Sequence, residues 1–175
     1  TLPFSILARH GFIAESLLRS AVKKEVLTEE RLKDFRQSIV TIAGEMSRDF
    51  NSVLSNELTQ KAYIDKYGHL RPSSYDILSP NYANRKDLFD GQTIREHYSM
   101  ASFKLTKEEN EGINNLFHEN DISSVNASEL MLYAEESIKG REYAKFIFTK
   151  HLSSILELVA KWGKIKGLPE MKFLC

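Results

Sequence analysis

Apolar positions recur at helical intervals along most of this chain. Leu32, Phe35, Ile39, Ile42, Met46, Phe50 and Val53 follow one another by three or four residues, which puts them on one helical face. The row predicts one helix of about 25 residues, with Met46 and Phe50 as core residues. Thr28 stands before it as an N-cap, and Glu29 and Glu30 suit the positive end of the helix dipole. The first segment reads as a helix with Pro3 in its first turn and Ile6, Phe12 or Ile13, Leu17, Ala21 and Val22 inward, interrupted at His10 and Gly11. A short helix runs from Thr59 to Tyr67 and ends at Gly68. Thr106 with Glu109 forms a capping box before Ile113, Leu116 and Phe117, and Asn126 with Glu129 repeats the device. From there the helical pattern continues to Trp162, with Gly140 as its break or bend. Leu130, Met131, Ala134 and Ile138 line its first half, and Tyr143, Phe146, Ile147, Ile155, Val159 and Trp162 its second. The expected fold is all-α, a domain of five or six helices.

One stretch breaks the pattern. Residues 68–104 have no helical period, and 67–89 hold two prolines and several tyrosines and bases. Irregular segments beyond about 12–15 residues are uncommon inside compact domains unless they are functional or disordered. Tyr67, Tyr75, Tyr82, Phe89, Leu70, Ile77, Leu78 and Leu88 argue against disorder and for a loop anchored on the helices. Pro72 and Pro80 lower the entropy lost in holding one shape. Between the anchors lie His69, Arg71, Ser73, Ser74, Asp76, Arg85 and Lys86, polar groups that an ordered loop can present to a ligand. The alternative is a surface loop whose charges pair locally. Arg141 and Lys145, four residues apart, share a helix face. If a helix starts at Gly140, they stand at its positive end, where two cations make sense opposite phosphate or carboxylate. If the helix runs through from Asn126, Glu135, Glu136 and Glu142 balance them on a solvated face.

Composition narrows the classes. Net charge is zero, with 24 bases against 24 acids, so no whole-molecule attraction to nucleic acid or anionic lipid exists. The single cysteine is Cys175, so no internal disulfide forms and a reducing, cytoplasmic compartment is expected. No apolar run approaches the ~18 residues of a spanning helix. The five histidines, His10, His69, His97, His118 and His151, lack metal-ligand spacing, and no metal site is expected. Gly-rich phosphate loops, HExxH and nucleophile elbows are missing. At 175 residues the chain suits a single helical domain, 1–175, and its start at Thr1 and stop at "EMKFLC" have the look of a piece of a larger protein.

Two stretches carry a resemblance. "YGHLRPSSYDILSPNY" resembles the Y-G-H-x-x-P-x-x-x-D-[IL]-x-x-P-[RN]-[YW] segment of proteins related to phosphoenolpyruvate synthase and pyruvate phosphate dikinase, nearest their rifampin-phosphotransferase-like branch. "GREYAKF" is similar to the R-E-x-x-K-[FY] helix of the same group, and "ARHGFIAESLLRSAV" to its opening helix. The resemblance covers most of the chain, in order. It implies the helical, acceptor-binding region of a phosphotransferase that is not catalytic in isolation. ATP and magnesium would be bound elsewhere in the full-length enzyme, by an ATP-grasp domain that phosphorylates a histidine on a mobile domain. No histidine here has the context of that mobile histidine. By position, the resemblance implies that Arg141 and Lys145 face the arriving phosphoryl group. It also implies that His69 or Asp76 orients or deprotonates an acceptor hydroxyl, and that Arg71 holds a phosphate or the fold of the loop. The partners implied are those two domains and a small-molecule acceptor, with no nucleic acid and no membrane. Related loops carry glycine after Arg-Pro where this chain has Ser73, so either the turn needs no positive φ or the site has drifted. A non-catalytic helical linker or interaction module is the competing expectation.

Overall fold

The computed structural model describes residues 2–94 and 102–168. Among them are six α-helices and no strand: α1 (Leu2–Lys23), α2 (Glu29–Ser38), α3 (Ile42–Leu54), α4 (Gln60–Tyr67), α5 (Lys107–Glu119) and α6 (Ala127–Ile165), with a 3-10 turn at Tyr82–Asn84. The all-α expectation holds. No helix among the described residues is long and apolar enough to cross a membrane.

The expected helix from Thr28 to Val53 is two helices. Thr28 caps α2, its side chain accepting from the Arg31 N–H, but α2 ends at Ser38 and α3 begins at Ile42. The break falls in Ile39-Val40-Thr41-Ile42, four β-branched residues in succession, whose side chains are stiff against a preceding helical turn. Ser38 Oγ also donates to the Phe35 carbonyl, competing for a helical acceptor. Helix α1 runs unbroken through His10 and Gly11. Likewise α6 runs straight through Gly140, so no helix starts there.

Described residues fall into two compact units, one joining residues up to 43 with 102–144, the other joining 44–94 with 145–168. The first unit buries Ala14, Leu18 and Ala21 of α1 against Leu32 and Phe35 of α2, Ile113 of α5, and Ala127, Leu130 and Ala134 of α6. Over its middle turns the buried phase of α1 is one residue off the expected stripe, for Ile6, Phe12, Ile13 and Leu17 are exposed while Ala14 and Leu18 are buried; Ala21 is buried as expected and Val22 packs against the core. Its buried positions are mostly small, because α1 approaches its neighbours closely: a Cβ on Gly11 would come within 3.0 Å of Arg141 Cδ, and one on Gly140 within 3.3 Å of Leu7. Arg31 closes this unit. Its guanidinium donates to both carboxylate oxygens of Glu109 (2.7 and 2.9 Å) and to the Lys104 carbonyl (2.6 Å), over the Phe103 ring. Glu109 at the same time completes the capping box with Thr106.

In the second unit an aromatic cluster replaces aliphatic packing. Phe50 stacks on Phe89, both meet Tyr63, and Tyr63 lies against Tyr67 at 4.8 Å between ring centroids. Tyr67 reaches Phe146 of α6 and donates its hydroxyl to Asp49 at 2.7 Å. Of the expected loop anchors, Tyr75 and Leu78 are exposed.

Candidate functional site

The irregular loop is closed by its own backbone and bolted to α6. Helix α4 is capped by the Thr59 side chain and ends at Gly68, whose N–H donates to the Ile64 carbonyl at 2.7 Å. Gly68 has a right-handed φ of −58°, so glycine is not there for a left-handed turn. A Cβ would strike the Ile64 carbonyl oxygen and come within 3.1 Å of Ala83 Cβ. That close approach lets the chain return: the N–H groups of Tyr82 and Ala83 donate to the carbonyls of Leu70 (2.7 Å) and Gly68 (2.9 Å). Residues between those ties form a compact loop of the Ω type. Asn81, buried, caps the 3-10 turn by accepting from Asn84 N–H.

Arg71 sits at the centre of that loop. Nη1 donates to the carbonyls of Asp76 (3.0 Å) and Ser79 (3.1 Å) across the loop. Nη2 donates to Ser153 Oγ (2.9 Å), the Ser153 carbonyl (3.4 Å) and Glu157 Oε1 (3.1 Å), all on α6. Glu157 also accepts from Asn84 Nδ2, tying the far end of the loop to the same carboxylate. The Arg71 side chain is only 2% exposed, and its Nε is buried without a partner. Planar five-donor geometry explains why arginine serves here and lysine would not. This geometry supports holding the loop rather than gripping a phosphate. Asp76 is also in local use, its Oδ1 accepting from the Leu78 N–H. Ser73 is not among the residues with positive φ, so the turn needs no glycine at that place.

His69 differs from both. It is half-buried with its ring edge-on to Phe146 at 4.7 Å between centroids. Its Nε2 lies 3.3 Å from the Phe146 carbonyl, which can only accept, so that nitrogen carries the proton. In the neutral ring Nδ1 then keeps its lone pair, and it makes no hydrogen bond among the described residues. Burial lowers the His69 pKa below its ordinary value, the Phe146 carbonyl opposes, and Lys150 lowers it further. A neutral imidazole with one pinned N–H and one open lone pair can accept a proton.

The basic pair on α6 is placed otherwise than a helix start would place it. With α6 continuous from Ala127, Arg141 and Lys145 lie mid-helix, away from any dipole end. Arg141 belongs to the first unit; its Nε and Nη2 donate to Glu142 Oε1 (3.0 and 2.8 Å), and its stem covers Gly11. Lys145, in the second unit, is exposed and makes no hydrogen bond or ion pair among the described residues. The structure thus brings His69, Arg71 and Asp76 into one loop on α6.

The chain matches no protein-family model, no curated protein and no solved structure.

Sequence reasoning missed the α6 half of the clasp, Ser153 and Glu157. A signal was present: Glu157 is the one carboxylate in residues 143–166, among Lys145, Lys150, Lys161, Lys164 and Lys166. A lone acid in a basic helix marks a partner elsewhere. Among the described residues no group of histidine, cysteine or carboxylates could hold a metal.

Proposed function

We propose that this chain is the helical acceptor-binding region of a phosphoenolpyruvate-synthase-like phosphotransferase, fed by a phosphohistidine on a separate domain. The resemblance of the 67–82 loop supplies the class, and the state of His69 is the observation that supports it most: a neutral ring with an open Nδ1, on a loop fixed by Arg71. In this reading the acceptor hydroxyl lies against Nδ1. As its oxygen bonds to phosphorus, the P–N bond of the donor phosphohistidine breaks, and the hydroxyl proton passes to Nδ1. Lys145, unpaired among the described residues of the same unit, offers charge to the phosphoryl oxygens. Arg71 and Asp76 keep the loop's shape. ATP and magnesium belong to the domain that charges the donor histidine.

Single-turnover discharge tests the reading. The full-length protein carrying this region is labelled on its mobile histidine with radiolabelled ATP, then mixed with pyruvate, a sugar, a nucleoside or an antibiotic. His69→Gln leaves labelling intact and slows discharge by about 10²-fold or more, the usual worth of a general base. Discharge at the wild-type rate contradicts it.

A second reading, a non-catalytic linker or interaction module, is favoured by the internal use of Arg71 and by the Arg141–Glu142 pair. Under it His69→Gln and Lys145→Ala leave both half-reactions unchanged.

A further inference from the structure

The second half of α6 is apolar on the side it was not expected to expose. Its inner face buries Thr149, Ser153 and Gly163, and there Ser153 meets Arg71 of the loop. Its outer face carries Ile155, Leu158, Trp162 and Ile165, which are 56%, 66%, 56% and 81% exposed. Singly exposed apolar residues need no explanation, but a contiguous row marks an interaction site.

The row has a specific shape. Its members are spaced three, four and three residues apart, the a/d spacing of a coiled-coil seam, and run about 15 Å along the helix. At about 100° per residue, Lys161 stands about 70° to one side of the row and Lys166 about 70° to the other. Those are the e and g places that select a partner by charge. Neither lysine makes an ion pair among the described residues, and the neighbouring Glu157 is spent on Arg71.

The flanking charge decides among occupants. A second copy pairing in parallel sets Lys161 against Lys166, and pairing antiparallel sets each lysine against its twin, so self-association is opposed either way. A lipid surface asks for a broad apolar face sunk about 5–10 Å into the headgroup boundary. Only Val159, 42% exposed, widens the row, and on one side alone, so a narrow strip between lysines does not provide it. A helix with its own apolar row flanked by carboxylates satisfies both the shape and the charge.

We propose that the outer row of α6 around Leu158 and Trp162 is a docking seam for an acidic-flanked amphipathic helix of a protein partner. This holds whichever reading of His69 is right, since the seam shares no residue with the loop clasp.

The test uses two synthetic peptides of about four heptads, identical in their isoleucine and leucine row, one with glutamate and the other with lysine at the flanking places. Fluorescence anisotropy follows each binding to the chain. The glutamate peptide binds at least about tenfold tighter, and salt weakens it. The doubly substituted Leu158→Ser/Trp162→Ser chain loses that binding while its helical circular dichroism is unchanged, because both side chains are exposed. The Lys161→Glu/Lys166→Glu chain reverses the preference. Equal affinity for both peptides, or binding of neither, overturns the proposal. So does loss, in Leu158→Ser/Trp162→Ser, of a dimer in sedimentation or of binding to phosphatidylserine-containing vesicles.

Discussion

Replacing Arg71 by methionine keeps most of the buried stem and removes the fork that joins the loop to α6. Five hydrogen bonds disappear, and the carbonyls of Asp76 and Ser79 lose a charged donor inside the loop. Removing one partner of a buried ion pair costs about 3–5 kcal/mol. Two features reduce that figure here. Glu157 is 30% exposed, so its carboxylate can rehydrate, and the unpartnered Nε of Arg71, itself a cost, leaves with the side chain. The lower end, about 3 kcal/mol, is the expected loss, or roughly a hundredfold in the opening equilibrium of the loop. Native-state hydrogen exchange reads it directly at the amides of Tyr82 and Ala83, which close the loop onto Leu70 and Gly68. Both amides are expected to exchange roughly a hundredfold faster in Arg71→Met. Arg71→Lys should recover less than half of the protection, because one ammonium cannot span acceptors on two elements. Glu157→Gln should cost about 3 kcal/mol as well, since it strands the buried guanidinium without its counter-charge even though an amide oxygen still accepts from Nη2. Protection at Tyr82 and Ala83 unchanged in Arg71→Met would refute the clasp.

Other substitutions probe the same logic. Gly68→Ala should destabilise by about 1–3 kcal/mol in urea unfolding, as an overpacked contact against the Ile64 carbonyl, although its φ is ordinary for alanine. Glu25→Gly should stabilise by up to about 1 kcal/mol, because Glu25 ends α1 at φ 59° and glycine adopts that region without strain. Two groups set the pH dependence. Burial holds His69 low, so the unfolded chain binds its proton first; stability is full above the ordinary value of 6.5 and falls as pH drops through the native pKa, a slope that His69→Gln removes. The Arg31 hydrogen bond keeps Glu109 below the ordinary 4.5, so its contribution is present above that value and is lost on further acidification, as stability against pH in Glu109→Gln would reveal.

Helix capping was readable, whereas the interruption at His10 and Gly11 and the break at Gly140 were not, for both helices run through. Thr28 and Thr106 cap their helices as expected, and Asn126 and Glu129 exchange hydrogen bonds before α6. The long loop was visible from its prolines and lost period. What failed was phase and continuity, which depend on packing. The apolar row from Leu32 to Val53 keeps helical spacing across a break, because three intervening residues preserve the register of the pattern but not the helix. On α1, Phe12 and Ile13 lie outside while Gly11, Ala14 and Ala21 lie inside beside Leu18, and on the second half of α6 Ile155, Leu158 and Trp162 lie outside while Thr149, Ser153 and Gly163 lie inside. Close helix contacts select small residues that a hydrophobicity reading ranks low. In the loop, His69 and Arg71 stand out in the sequence as polar groups between apolar anchors. Which one the protein consumes internally depends on Ser153 and Glu157, about eighty residues away in sequence, and no local pattern encodes that pairing.

The proposed function requires His69 to be a neutral, Nε2-protonated ring held by the clasped loop. Long-range proton–nitrogen NMR correlation at neutral pH reports this directly. The expected spectrum has Nε2 protonated and Nδ1 bare, a titration midpoint below 6.5, and loss of both features in Arg71→Met. A proton on Nδ1, or a midpoint at or above 6.5, would contradict it.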